Sequence, residues 1–437
     1  MPNRPIAQNP SAAQNLAVTA DNPHTTQPAS STKRPLLGAR KQHHNRWLII
    51  AGFALLLGIN QFLWLSFATI IISTQAHFGV NEFFANLLTL IFPIVFVLLA
   101  IHSGKILDNH GYKKVVSYAA VLMLVGSVIR WLGVDSYWIV FAGQLLIAIA
   151  QPYITNAINQ VTTDWFDKSQ LATVTGVIMG VMFLATALGA FASAPLIELF
   201  GFSGMLMLNM ALTAIAVAFF LLVVAEKPQK HDDAISLHEI ESLLKNKRLW
   251  LISLTIFIAM GYFNGLSNWI APILEPRGID EATAGVITAM LIIGGILGAL
   301  IIPLLSDYLH KRRIFLIIAT LVGALATYPL LFLSSGTTTL IISFVLGFFL
   351  LAGYPLLIAA AEDTVHPSQA AKAVAMLMLM GNLGGVVMVL SMQGVKVMTN
   401  SWALSGWVLI ISVALASFLV LKIRDKPLSY RVPTNSI

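Results

Sequence analysis

The 437-residue chain contains no cysteine. That excludes disulfides, thiolate metal sites and iron–sulfur clusters, all of which need the sulfur. Charge is scarce as well: Asp, Glu, Lys and Arg make up 10% of the chain against 57% hydrophobic residues, where a soluble domain carries about a quarter charged residues. Alternation of apolar and polar residues is missing too. The apolar runs are continuous, which excludes an outer-membrane barrel and leaves a polytopic helical membrane protein. No Gly-rich phosphate loop, metal-ligand cluster or nucleophile constellation is present, so neither enzymatic activity nor a cofactor or metal is expected. The net charge of +7 comes from basic residues dispersed over loops rather than gathered into a patch, so no nucleic-acid partner is expected.

Residues 1–45 are rich in Asn, Pro, Ala, Ser, Thr and Gln and hold no apolar stretch. They read as a disordered tail ending in the basic cluster Lys33, Arg34, Arg40, Lys41 and Arg46. Apolar stretches then occur at 47–73, 83–103, 114–133, 137–160, 171–196 and 202–225, and again at 249–273, 283–305, 313–334, 337–361, 371–396 and 402–423. Each is near the ~20 residues that cross a bilayer core. The expected fold is therefore an all-α membrane protein with twelve spans in two halves, 46–225 and 249–424, and a second tail at 425–437. The linker 226–248 contains Ser236-Leu237-His238-Glu239, the form of a capping box, with Leu237, Ile240, Leu243 and Leu244 at helical spacing. It predicts a short amphipathic helix lying on the membrane face.

Lys and Arg fix the expected orientation. The loops on the side of both termini hold most of them, including Lys105, Lys113, Lys168, Lys245, Arg312 and Lys372, whereas the opposite side has only Arg130, Arg277 and Lys396. Both termini are then cytoplasmic. Short outer loops and the absence of any Asn-X-Ser/Thr sequon point to a bacterial inner membrane.

One loop carries a motif. Residues 104–114 read Gly-Lys-Ile-Leu-Asp-Asn-His-Gly-Tyr-Lys-Lys between two apolar runs, and a degenerate copy, Ser306 to Arg313, recurs half a chain later. Gly104 allows close helix approach and Gly111 a turn that a β-carbon would hinder. Gly104, Asp108, Gly111 and Lys114 resemble the loop signature between spans 2 and 3 of the major facilitator superfamily. The resemblance implies two pseudo-symmetric six-helix halves that expose a midplane site alternately to each side. It also implies that Asp108 with Lys114, and Asp307 with Arg313, act as gating groups. In the second copy Pro303 and His310 stand at the two glycine positions.

Between the interfaces there is essentially no Asp, Glu, Lys or Arg. Charge at the bilayer centre is costly and marks ion or proton pathways. Its absence leaves no carboxylate proton relay and no central Arg for a phosphate or carboxylate, which speaks against a proton-coupled drug antiporter and an organophosphate exchanger. The polar groups that do fall mid-span are amides and aromatics: Asn60, Gln61 and Trp64 in span 1; Gln144, Gln151, Asn156 and Asn159 in span 4; Tyr262, Asn264, Asn268 and Trp269 in span 7; and Asn382 in span 11. A Trp face attracts a cation by ~2 kcal/mol when desolvated, and amides add orientation without charge. The candidate substrate site is Trp64, Gln151, Asn60, Gln61, Asn264 and Asn382. Gly176, Gly180, Gly294, Gly295 and Gly298 form small-residue rows that read as sliding surfaces between helices.

Several of these segments resemble the feline leukaemia virus subgroup C receptor-related carriers: Arg46-Trp47 with Asn60, Phe62 and Trp64; Gly143-Gln144 through Gln151 with Trp165-Phe166; and Pro355 through Glu362 with Pro367-Ser368 and Asn382. That family implies a choline, ethanolamine or haem carrier. Its choline site, a Trp and a Tyr sandwiching the ammonium with two Gln, falls by position on Trp64, Asn264, Gln151 and Asn382. Two of the four depart, since the Tyr is Asn264 and the second Gln is Asn382. Tyr262 lies about 200° around the helix from that position and is a poor stand-in. The reading is a carrier of a small amine-like, zwitterionic or neutral solute, acting as a monomer in the lipid bilayer. The alternatives are a haem transporter and a non-transporting membrane sensor with a carrier fold.

Overall fold

The computed structural model describes residues 36–167, 170–225, 234–309, 311–333, 336–366 and 369–423. Residues 1–35 and 425–437 of the expected tails, 226–233 of the linker, and Lys168, His310, Pro367, Ser368 and Arg424 lie outside that set. The spans and the cavity belong to the unit that begins at His44. The first helix starts at Leu36, within the stretch whose composition reads as a tail.

Eleven described helices are long and apolar enough to cross a bilayer. One of them, Thr173–Val223, has 51 residues, roughly 75 Å at 1.5 Å per residue and over twice the hydrocarbon thickness. It is broken at Gly201 (φ 69°, ψ 176°), a left-handed conformation that glycine adopts without strain. It therefore counts as spans 5 and 6. The remaining spans are 1, Arg46–Leu65; 2, Glu82–His110; 3, Tyr112–Leu132; 4, Tyr137–Trp165; 7, Lys247–Arg277; 8, Glu281–Leu309; 9, Arg312–Leu333; 10, Thr337–Glu362; 11, Ala370–Thr399; and 12, Trp402–Lys422. The bundle has a basic end, where the Lys- and Arg-bearing loops lie, and a far end with few charges. Large apolar side chains such as Leu98, Leu222, Leu304 and Ile411 remain exposed on the outer wall, as a lipid-facing surface requires.

Span 1 is shorter than its apolar run suggests. Its helix ends at Leu65, and after a turn the chain forms a separate helix, Ile71–Phe78. Spans 4 and 10, equivalent in the two halves, are both interrupted, at Asn156–Ala157 and at Leu351–Ala352. In span 4 the break follows Pro152, whose ring cannot donate to the helix. Asn156, at the break, ties it to span 2 by donating from Nδ2 to Ala100 O (3.1 Å) and Ser103 Oγ (2.8 Å).

Glycines set the closest contacts, but not where the sliding-surface reading puts them. Gly176 and Gly180 have nothing within 4 Å of an added Cβ. Gly294 and Gly298 instead seat span 8 on span 10 within one half; Cβ atoms there would fall 2.1 Å from Phe344 O and 1.7 Å from Phe348 O. The seam is backbone against backbone and cannot give. Gly298→Ala is therefore expected to destabilise the protein by about 1–3 kcal/mol, whereas Gly176→Ala leaves stability within about 0.5 kcal/mol. Thermal unfolding of the two variants in detergent checks this.

The linker helix, Leu237–Leu244, opens on a capping box: Ser236 Oγ accepts from Glu239 N–H, and the Glu239 carboxylate accepts from Ser236 N–H. Its inner face is not free on a membrane surface. Ile235 and Leu243 are buried in the core of the C-terminal half with Leu249, Ile252 and Ala373. Lys372 Nζ donates to Glu239 Oε1 at 2.7 Å. That bond, then those from Ser236, holds the Glu239 carboxyl at about 2, below its ordinary 4.5. A depressed carboxyl stabilises the docked linker fully above pH 4.5, and the contribution is lost as pH falls from 4.5 toward 2. Cleavage within the linker by an acid-active protease is expected to rise over that window, and Glu239→Gln to remove the pH dependence.

Candidate functional site

The two halves meet at the far end. Leu65, Ala68, Ile71, Ala85, Leu90, Ala187 and Ala190 of the first half share one buried cluster with Phe263, Leu266, Ile270, Ala284 and Ile287 of the second. Span 8 crosses span 5 closely there; a Cβ on Gly285 would lie 2.6 Å from Ala190 O. A carboxylate locks the crossing. Helix Ile71–Phe78 has no cap from its own neighbours, and Glu281, at the head of span 8, supplies one from the other half. Glu281 Oε1 accepts from Ile72 N–H at 2.5 Å, and both of its oxygens accept from Ser73 N–H at 3.2 Å. Ser73 Oγ–H also donates to Oε2. An anion at an open helix N-terminus is a favourable pairing. Glu82 of span 2 forms a second bridge at this end, accepting from Trp402 Nε1 at 3.3 Å with Lys396 Nζ 4.0 Å away.

Below this seal lies a cavity of about 130 Å³ between the halves. Gln61, Trp64, Gln151, Asn264 and Asn382 all line it. They come from spans 1, 4, 7 and 11, and the breaks in spans 4 and 10 fall beside it. No Asp, Glu, Lys, Arg or His is among the lining residues.

Each polar group is held differently. Trp64 Nε1 donates to Thr89 O of span 2 at 3.2 Å, and its ring lies 6.4 Å from that of Phe92, so the indole is pinned with its N–H already used. Asn264 and Asn382 donate from Nδ2 to carbonyls one turn back, Met260 O and Met378 O, both at 2.9 Å. Their amide oxygens are thereby left over. Asn264 Oδ1, Gln151 Oε1 and Thr155 Oγ1 are buried without a hydrogen-bond partner among the described residues. Buried acceptors of this kind suit a ligand that donates.

Asn60 is placed elsewhere. It is fully buried and donates to Ile147 O (3.3 Å) and Met123 Sδ (3.6 Å), stitching span 1 to spans 3 and 4 rather than facing the cavity. Tyr262 also points away; its hydroxyl meets Thr327 Oγ1 at 2.6 Å. Sequence reasoning missed Tyr354, Phe263, Phe96 and the thioethers Met179, Met182 and Met260, which complete the lining. An aromatic or apolar residue within an apolar run carries no mark of which way it faces.

At the basic end the motif residues separate. Asp108 accepts from Gln160 Nε2 and from Ala234 N–H of the linker, each at 2.8 Å, and Gly104 lets that linker approach, with Ala234 Cβ 3.4 Å from where its own Cβ would be. Gly111 takes the expected turn at φ 75°. Lys114 does not pair with Asp108. It lines a groove on the outer wall with His110, Tyr118 and Tyr153. In the second copy Asp307 pairs with Arg312 at 3.4 Å and not with Arg313, whose Nη2 donates to Leu421 O at 2.6 Å. Arg312 also binds Asp363. In this arrangement neither aspartate meets the basic residue matched to it by the motif, because the turn carries Lys114 and Arg313 to a different face.

A family model described as Major Facilitator Superfamily matches residues 48–387 and 270–436. The chain is 25% identical to Solute carrier family 49 member A3 of Danio rerio, over 82% of this chain and 80% of that one. It is 23% identical to the Choline/ethanolamine transporter flvcr2a of the same organism, over 80% of each. The solved nucleoside transporter NupG superposes with a TM-score of 0.71 over 86% of this chain and 99% of that one, at 15% identity. Twelve spans in two halves around a shared cavity, together with a family model that covers nearly the whole membrane domain, show that this chain belongs to the Major Facilitator Superfamily, where it resembles the choline/ethanolamine carriers.

Proposed function

We propose that this transporter carries a small amine-like, zwitterionic or neutral organic solute across the cytoplasmic membrane by alternating access, without a buried carboxylate relay in its cavity. The observation that carries the reading is the pairing of a pinned indole face, Trp64, with the unpartnered acceptors of Gln151 and Asn264 in a cavity without charged side chains. An ammonium or amine meets the ring electrostatically and donates to the amide oxygens. Gln61, Asn382, Thr155 and Thr186 add further polar groups to the lining. The relatives named for choline and ethanolamine support the same solute class. With the basic end cytoplasmic, the sealed far end makes this the inward-facing arrangement, and Asp108 is the gating carboxylate that holds the linker in it.

The lining favours an amine over haem. Met179, Met182, Met260 and Tyr354 offer axial ligands, but no cationic side chain is present to meet propionates. The test is uptake of labelled choline, ethanolamine, a zwitterionic betaine and haem into proteoliposomes of the purified chain. Saturable uptake of at least one of the first three supports the reading. Saturable haem uptake alone overturns it, and saturable solute binding with no flux above empty vesicles makes the protein a sensor.

A further inference from the structure

Arg130 does not sit at a membrane surface, as its place near the end of span 3 suggests. It is wholly buried inside the first half. Its stem lies over Gly143 of span 4, where an added Cβ would be 2.7 Å from Arg130 Cγ, so the head is fixed. Nη1 donates to Gln144 Oε1 at 2.5 Å, and the guanidinium carbon lies 5.5 Å from the centre of the Phe67 ring. Nε and Nη2 have no acceptor among the described residues, and none of the ion pairs there includes Arg130.

A second set of unused polar atoms faces the same level. Ser127, one turn before Arg130, contacts Thr213 of span 6 through their hydroxyls at 3.4 Å. Spans 3 and 6 run in opposite directions, so Asn209, one turn before Thr213, lies toward the same far end as Arg130. Asn209 is also wholly buried, with both Nδ2 and Oδ1 unpartnered. A guanidinium keeps its charge at every physiological pH. A neutral amide and a ring face offset only part of what a desolvated cation needs, and a counter-charge in hydrogen-bond reach supplies the rest.

We propose that this cluster binds a small monovalent anion, chloride in the first instance, held by Arg130 Nε and Nη2 with Asn209 Nδ2 as a third donor. None of these residues lines the transport cavity, so the inference stands apart from the substrate reading. Gln144 extends the consequence: its Nε2 donates to Leu88 O at 2.9 Å and reaches Leu63 O at 3.5 Å. The anion would therefore secure the far ends of spans 1 to 4 through one side chain.

The test is thermal unfolding of the purified full chain at constant ionic strength, titrating sodium chloride or bromide against sodium gluconate. The expected result is a saturable rise of about 2–4 °C with halide. Arg130→Met abolishes it, Asn209→Ala raises the halide midpoint about tenfold, and Trp64→Ala leaves it in place. Equal unfolding temperatures in halide and gluconate would overturn the proposal and leave the cluster to water. So would a halide effect that survives Arg130→Met or vanishes in Trp64→Ala, since either places the ion elsewhere. If Arg130→Met does not fold, an unshifted midpoint in Asn209→Ala overturns it equally.

Discussion

Trp64→Ala is expected to raise the half-saturation concentration for uptake of an ammonium solute about 30-fold. The figure is the ~2 kcal/mol of a desolvated cation–π contact converted at 1.4 kcal/mol per decade. Trp64→Phe, which keeps a ring but gives up the bond to Thr89 O, should lose less, about tenfold. Gln151→Ala removes a buried acceptor rather than a ring. It should cost about 1.5–3 kcal/mol against a charged donor and much less against a neutral solute. The size of the two losses therefore reports the charge of the substrate: a cation is hurt by both substitutions, a neutral solute little by either. Uptake kinetics of the three variants in one vesicle preparation provide the comparison.

Glu281→Ala should open the far end. The carboxylate joins the halves through backbone and hydroxyl donors of Ile72 and Ser73 and is the cap that helix Ile71–Phe78 otherwise lacks. Losing bonds to a charged group removes about 2 kcal/mol, so the population open at the far end rises about 30-fold. The absence of cysteine from the chain makes this directly measurable. Thr155→Cys places a single thiol in the cavity lining with no background label. A membrane-impermeant maleimide added from the far side should label it slowly in the otherwise native chain and at least ten times faster when Glu281→Ala is added. Equal rates would show that the apolar cluster and the Glu82 bridge keep the halves together without Glu281.

The fold was legible because membrane spans are written in composition. Twelve apolar runs, the loop motif and its degenerate copy were enough to place two halves. The exceptions are local. Span 1 ends at Leu65 although its run continues to residue 73, since apolarity marks burial and not helicity. The candidate site was legible where a polar residue or a Trp marks an apolar run, as at Gln61, Trp64, Gln151, Asn264 and Asn382, all of which line the cavity. It was illegible in two situations. Polar residues look alike whichever way they face, so Asn60, one residue from Gln61, belongs to helix packing. Lining residues of the same apolar kind as the lipid-facing wall, such as Met182 and Phe263, carry no signal at all. Charges were misjudged by sequence position: Glu281 resembles any first-turn acid, and Arg130 any interfacial cation. Only the approach of other helices shows that the first caps a helix in the opposite half and that the second is buried without a carboxylate partner.

Substrate protection tests the central claim most directly, that the transported solute occupies the cavity of Trp64, Gln151 and Asn264. Thr155→Cys proteoliposomes that take up a labelled amine would be treated with maleimide while the same amine is raised through its half-saturation concentration. The account predicts that labelling slows at least tenfold, with a midpoint matching that of uptake, and that Trp64→Ala shifts both midpoints together. Uptake that saturates while labelling of Thr155→Cys stays constant would contradict it and place the transport site elsewhere in the bundle.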